Sequence, residues 1–184
     1  MEEEELVRRV QEGDEVAFAN LVRAYKNRIV NYLYQLTGDY QKAVELAQET
    51  FMRVYFKAKK YRPYAPFSSW VYAIATNLAR TEMKKSSKLQ FVSLDGLHQN
   101  HHSLAFFENP SNAVVSEKIR KALNSLPAHY RVPVVLKDIE GFSQEEIAQV
   151  LKKPLGTIKA RISRGRELLR KEIKKVLSGE DLSS

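Results

Sequence analysis

Apolar residues recur three or four positions apart along most of the chain, and period-two alternation is nearly absent. That pattern predicts an almost wholly helical protein. A short helix over residues 3–11 stops at Gly13, and Asp14 is placed to cap the next helix by accepting from its free backbone N–H groups. In that second helix Phe18, Leu21, Val22, Tyr25, Ile29, Leu33 and Leu36 form one apolar stripe, which Gly38 ends. A third helix over 40–59 gathers Ala43, Ala47, Thr50, Phe51 and Val54 on one face and leaves Glu45, Gln48, Glu49 and Arg53 on others. After a turn carrying Pro63 and Pro66, "FSSWVYAIATNLARTEMKK" begins a fourth helix. Phe67, Trp70, Ile74 and Leu78 line its apolar side, so Trp70 is expected to be core.

The periodicity fails between residues 89 and 112, where "LDGLHQNHHSLAFFENPSN" is rich in Asn, His and Ser. That is longer than most connections inside a compact domain, so it reads as an interdomain linker. Helical segments follow over 113–124, 127–139, 143–151 and 154–176. Ser143 and Glu146 have capping-box spacing. Pro133 sits inside the second of these segments, where an interior proline costs about 3 kcal/mol. Either that helix begins later or it bends there. The expected architecture is all-α: two small helical domains, 1–88 and 113–177, joined by a flexible linker (89–112) and trailed by a disordered tail, 178–184.

Composition narrows the partners. The formal net charge is +8, which favours a polyanion but leaves nucleic acid and an anionic membrane surface both open. The 43% apolar content is enough to fill a core. With no cysteine, disulfides, thiolate zinc sites and cysteine nucleophiles are excluded. The chain opens on Glu2 to Glu5, the opposite of a basic signal-peptide start, and no apolar run approaches the roughly 20 residues of a membrane span. A cytoplasmic protein with no membrane insertion is expected.

Two stretches carry candidate chemistry. "SQEEIAQVLKKPLGTIKARISRGRELLRK" has the organisation of a helix-turn-helix. Ile147, Ala148 and Leu151 face inward on its first helix; Leu155, Ile158, Ile162 and Leu169 do so on the second, where Gly165 permits a close neighbour. Lys159, Ala160, Ser163, Arg164 and Arg166 lie elsewhere on that cylinder, small residues letting the backbone enter a major groove and long cations reaching bases or phosphates. In the first half, "KKYRPYAPFSSW" interleaves aromatics with cations, the pairing that single-stranded bases and their phosphates favour. Tyr61, Arg62 and Tyr64 are its candidate contacts. No Gly-rich phosphate loop, HExxH pair or nucleophile-and-base signature is present, so neither an enzyme nor a cofactor is expected. His98, His101 and His102 raise a metal site, but they fall in the polar linker without an ordered scaffold, and none is expected.

"GDEVAFANLVRAY", "AVELAQETFMRVY", "FSSWVYAIATN", "LPAHYRVPVVLKDIEGFSQEEIAQVL" and "PLGTIKARISRGRELLRK" occur in this order. Together they resemble the extracytoplasmic-function group of bacterial RNA polymerase sigma factors, over nearly the whole chain. The resemblance implies promoter region 2 followed by region 4, with core RNA polymerase (β′ clamp helices and β flap) and promoter DNA as partners, and an anti-sigma factor as keeper. It further implies that Glu45, Gln48 and Glu49 dock on the clamp helices. The loop of Tyr61, Arg62 and Tyr64 would capture an unpaired −10 base. Asn77 and Arg80 would face the −10 region, with Lys84 and Lys85 on nearby phosphates. Lys159, Ala160, Ser163 and Arg164 would read the −35 element, with Arg166 on the backbone. The competing interpretation is a helix-turn-helix regulator that binds its operator without polymerase.

Overall fold

The computed structural model describes residues 2–92 and 110–179. The first lobe contains α1 (Glu3–Gln11), α2 (Glu15–Thr37), α3 (Tyr40–Lys57) and α4 (Phe67–Val92), with a single 3-10 turn at Ala58–Lys60. The second contains α5 (Pro110–Ser125), α6 (Ala128–Val134), one turn of π-helix at Val135–Ile139, α7 (Gln144–Leu151) and α8 (Leu155–Ser178).

Local signals set the ends of these helices. The Asp14 carboxylate accepts from the Ala17 N–H at 2.9 Å and also takes Arg9 Nε at 2.8 Å, fastening α1 to the start of α2. Gly38 ends α2 at φ +71°, in the left-handed region, and a Cβ there would meet Asn124 Oδ1 at 2.9 Å. Asp39 then caps α3 through the Lys42 N–H at 3.0 Å. The third helix is shorter than expected: it stops at Lys57 and tightens into the 3-10 turn. In the second lobe the Ser143–Glu146 capping box forms, with both reciprocal hydrogen bonds present at 3.1 and 2.7 Å. Lys152 adopts φ +51° to make the turn into α8.

Pro133 neither delays α6 nor ends it. The helix begins at Ala128, carries the proline buried inside, and then widens into the π turn, a form that tolerates a broken i→i−4 ladder. Helix also reaches into both ends of the segment expected as linker, since α4 runs to Val92 and α5 starts at Pro110. His98, His101 and His102 lie outside the described residues, as does the tail from 180 onward.

The central helix α2 buries more than one stripe. Leu21, Tyr25, Ile29, Leu33 and Leu36 are buried as expected, but so are Val30 and Tyr32. The reason is that α2 is enclosed by α1, α3 and α4 and is also touched by α5 of the second lobe. The Tyr32 and Thr76 hydroxyls bond at 2.7 Å, and Tyr32 packs on Tyr72 with ring centroids 4.9 Å apart.

The two lobes share one continuous apolar core. Tyr72 of α4 meets Phe142 of the second lobe at 4.8 Å between centroids, and its hydroxyl donates to Glu140 at 2.5 Å. Burial pushes both of these groups up, the Glu140 carboxyl above the usual glutamate range and the Tyr72 phenol above its own. Arg131 makes the second tie. It donates to the Leu36 carbonyl at 2.5 Å, to the Asn124 and Leu126 carbonyls at 2.7 and 2.8 Å, and lies 3.4 Å from Met83 Sδ. Its guanidinium thus joins the carbonyl end of α2 to the end of α5, a favourable place for a cation. Desolvation pulls its pKa down to about 10.

Candidate nucleic-acid interface

In the helix-turn-helix, Ile147, Val150, Leu151, Ile158 and Ile162 are buried and hold α7 against α8. Gly165 brings α8 close to α6, since a Cβ there would lie 2.6 Å from Val134 Cγ2 and 3.2 Å from the Tyr130 carbonyl oxygen. With that side of α8 pressed inward, Lys159, Ala160, Ser163 and Arg164 are all exposed. At 100° per residue they span an arc of about 140°. Arg166 is exposed beside them but engaged: its Nε and Nη2 donate to Asp138 on the π turn at 2.8 and 2.5 Å. Arg164 donates to Glu167 at 2.8 Å. These hydrogen bonds to carboxylates raise both guanidinium pKa values, and the Arg164 bond lowers that of Glu167. Both pairs are solvent-facing, so a phosphate or base edge can displace the carboxylate at small cost.

The loop before α4 splits the three residues expected to act together. Tyr61 is half-buried; its ring packs on Phe67 and Trp70 at 5.2 and 5.3 Å, and its hydroxyl donates to the Ala65 carbonyl at 2.8 Å. Arg62 folds back onto the Lys59 and Tyr61 carbonyls at 2.9 and 3.0 Å. Arg62 is exposed despite these bonds, and Tyr64 projects into solvent, 90% exposed. Trp70, expected as core, is only half-buried. Helical spacing places Trp70, Asn77 and Lys84 on one line, with Arg80 and Lys88 beside it. Lys85 is about 100° away from Lys84 on the cylinder and leaves the line. Lys88 is the member that sequence reasoning missed, although the i, i+4 step from Lys84 signals it.

On α3, Glu45 and Gln48 are exposed and Glu49 is half-exposed. Lys42 donates to Glu45 and Arg53 to Glu49, each at 2.8 Å. Met52 and Phe56 continue the Glu45–Glu49 line at helical spacing and are 55% and 75% exposed. Tyr55 supports Phe56 edge-on at 5.5 Å and Phe18 at 5.0 Å. This outward apolar end was missed in the sequence, where exposed and buried apolar residues look alike. Among the described residues no cluster of His, Asp or Glu could hold a metal ion, and no helix is long and apolar enough to cross a membrane.

A helical first lobe with exposed cations along α4 is thus followed by a lobe with helix-turn-helix organisation. Sigma-70 region 2 matches residues 21–89 and Sigma-70 region 4 matches residues 116–169. The ECF RNA polymerase sigma factor SigW of Bacillus subtilis is 36% identical over 91% of this chain and 95% of its own. The RNA polymerase sigma-H factor of Pseudomonas aeruginosa is 31% identical over 96% of each chain. Among solved structures, the sigma factor RpoE in complex with the anti-sigma factor NepR from Bartonella quintana superposes with a TM-score of 0.70 at 26% identity, covering 85% of this chain and 96% of that one. CnrH in complex with the cytosolic domain of CnrY shares the fold, with a TM-score of 0.68 at 20% identity. The chain belongs to the sigma-70 family of RNA polymerase sigma factors, in its extracytoplasmic-function group.

Proposed function

We propose that this sigma factor, working in the cytoplasm and without chemistry of its own, divides promoter recognition between its two lobes. The face of α8 reads the −35 element in the major groove through Lys159, Ala160, Ser163 and Arg164, with Arg166 moving from Asp138 to the DNA backbone. Tyr64 captures an unpaired −10 base, while Tyr61 and Arg62 hold its loop. Asn77 and Arg80 face the −10 strand, Lys84 and Lys88 neutralise phosphates along it, and Lys85, about 100° round the cylinder, reaches a neighbouring phosphate from the side. The α3 line of Glu45, Gln48, Glu49, Met52 and Phe56 docks on the clamp helices of polymerase β′. The phosphodiester chemistry belongs to the polymerase, and strand opening is favoured because a captured base does not return to its stack.

The observation that carries this division is the exposure of Tyr64 in the loop before α4, a helix with Arg80, Lys84 and Lys88 exposed, while α8 presents small residues between cations on the other lobe. In the closed arrangement Arg80 and Lys84, though exposed, line a cleft against the second lobe, so parting the lobes would widen promoter access to them. The Bartonella relative of similar fold is in complex with an anti-sigma factor. By analogy, the closed form of this chain is the one such a partner would retain.

Run-off transcription with core polymerase on a randomised promoter library tests the assignment. Specific initiation should depend on both elements, and Arg164→Ala should relax preference at one −35 position by about 1–3 kcal/mol. Tight operator binding by the pure protein, with no initiation when core polymerase is added, would support the regulator alternative instead.

A further inference from the structure

Between the lobes lies a cleft of about 920 Å³, bounded by the end of α2, the start of α3, the second half of α4, α5, α6, the turn between α7 and α8, and α8 itself. Among the described residues its lining holds nine lysines and arginines against three carboxylates, Asp39, Glu82 and Glu117. A cleft so unbalanced focuses positive potential.

Two of its arginines are more than surface charges. Arg120 is only 4% exposed; its Nη2 pairs with Glu117 and its guanidinium lies 4.1 Å from the centroid of the Tyr34 ring. Its Nη1 nonetheless has no hydrogen-bond partner among the described residues. Arg131 is surrounded by carbonyl oxygens and the Met83 sulfur, and no carboxylate pairs with it among the described residues. Buried cations and orphaned donors carry a desolvation cost that an acceptor reaching them would relieve.

We propose that the interlobe cleft is a binding site for a compact, multiply charged phosphate anion, held at its depth by Arg120 and at its mouth by Lys121 and Arg161. The size favours this class. The volume falls within the range of small-ligand sites, and the orphaned Nη1 belongs to a side chain that a small anion can meet without displacing a helix. The three named side chains all belong to the second lobe, and Arg80 and Lys84 of α4 line the same cleft from the first. The phosphates could be those of a free polyphosphate or of a nucleic-acid backbone, and the proposal stands whether or not the promoter assignments do.

The test uses the full-length protein, titrated calorimetrically with inorganic tripolyphosphate. One ion should bind per chain and raise the melting temperature. Sodium sulfate at matched ionic strength should not do so. Lys121→Ala combined with Arg161→Ala should lower the affinity by about tenfold or more, as loss of charged hydrogen bonds entails, with the ligand-free melting temperature unchanged. Arg120→Lys, which keeps the charge but cannot fill the same geometry, should lower it as well. If a single-stranded oligonucleotide competes with tripolyphosphate and shows the same variant losses, the natural source is nucleic acid; if it does not compete, the source is a free anion. Unchanged affinity in both variants would overturn the site, as would an equal response to sulfate. Tighter, variant-sensitive binding of a poly-glutamate peptide would overturn the small-anion assignment.

Discussion

Tyr64 shows what a residue free of structural duty looks like. Its neighbours in the loop are tied down, Tyr61 to Phe67, Trp70 and the Ala65 carbonyl, and Arg62 to two carbonyls. Tyr64 itself is 90% exposed. Tyr64→Ala should therefore leave the melting temperature within error of wild type. It should weaken open-complex formation by about 1–3 kcal/mol, the worth of one base–aromatic stack. Closed-complex binding, measured on duplex promoter in the cold, should change far less; equal losses in both would remove Tyr64 from base capture. The split within this trio was not legible in the sequence. Alternating aromatics and cations make a nucleic-acid contact an expectation, but they do not say which ring is spent on holding its own loop.

At the level of elements, the helices themselves were largely legible, because what begins and ends them is local. Asp14, Gly38 and Ser143 act within four residues of their own positions, and the sequence shows that window complete. The widened turn after Pro133 was not legible, because a proline predicts a defect in the ladder without specifying its form. The outward faces were harder again. On α3, Phe56 stands in register with Glu45 and Glu49, yet an apolar residue at helical spacing reads as core by default. Its 75% exposure in the folded chain makes it a docking candidate. Phe56→Ser should leave stability unchanged and weaken binding to core polymerase by about 1–3 kcal/mol, the value of burying such a ring. Competition against a labelled wild-type factor for core enzyme measures this, and an undiminished affinity would limit the docking surface to the polar half of α3.

For the whole molecule, the two lobes were legible but their packing was not. Periodicity marks which side of a helix is apolar, not whether the covering surface comes from the same lobe. Tyr72, Phe142, Glu140 and Arg131 all look like ordinary interior or surface positions until the lobes are brought together. The Glu140 contact gives the closed form a pH dependence whose sign is set. Its folded pKa lies above the ordinary 4.5, chiefly through desolvation, so its contribution is fully present below pH 4.5 and is lost as pH rises through the folded value. Glu140→Gln keeps an acceptor for the Tyr72 hydroxyl but removes the titration. The stability of the variant relative to wild type should rise with pH across that window, as read from urea midpoints, and a flat difference would mean that the carboxyl is not desolvated in solution. The same interface sets how opening responds to temperature. Parting the lobes uncovers Tyr72 and Phe142 to water, so opening has the thermodynamic character of a small unfolding step, with a positive heat-capacity change. Its equilibrium constant then curves with temperature rather than following a straight van't Hoff line, and the closed form has a temperature of greatest persistence.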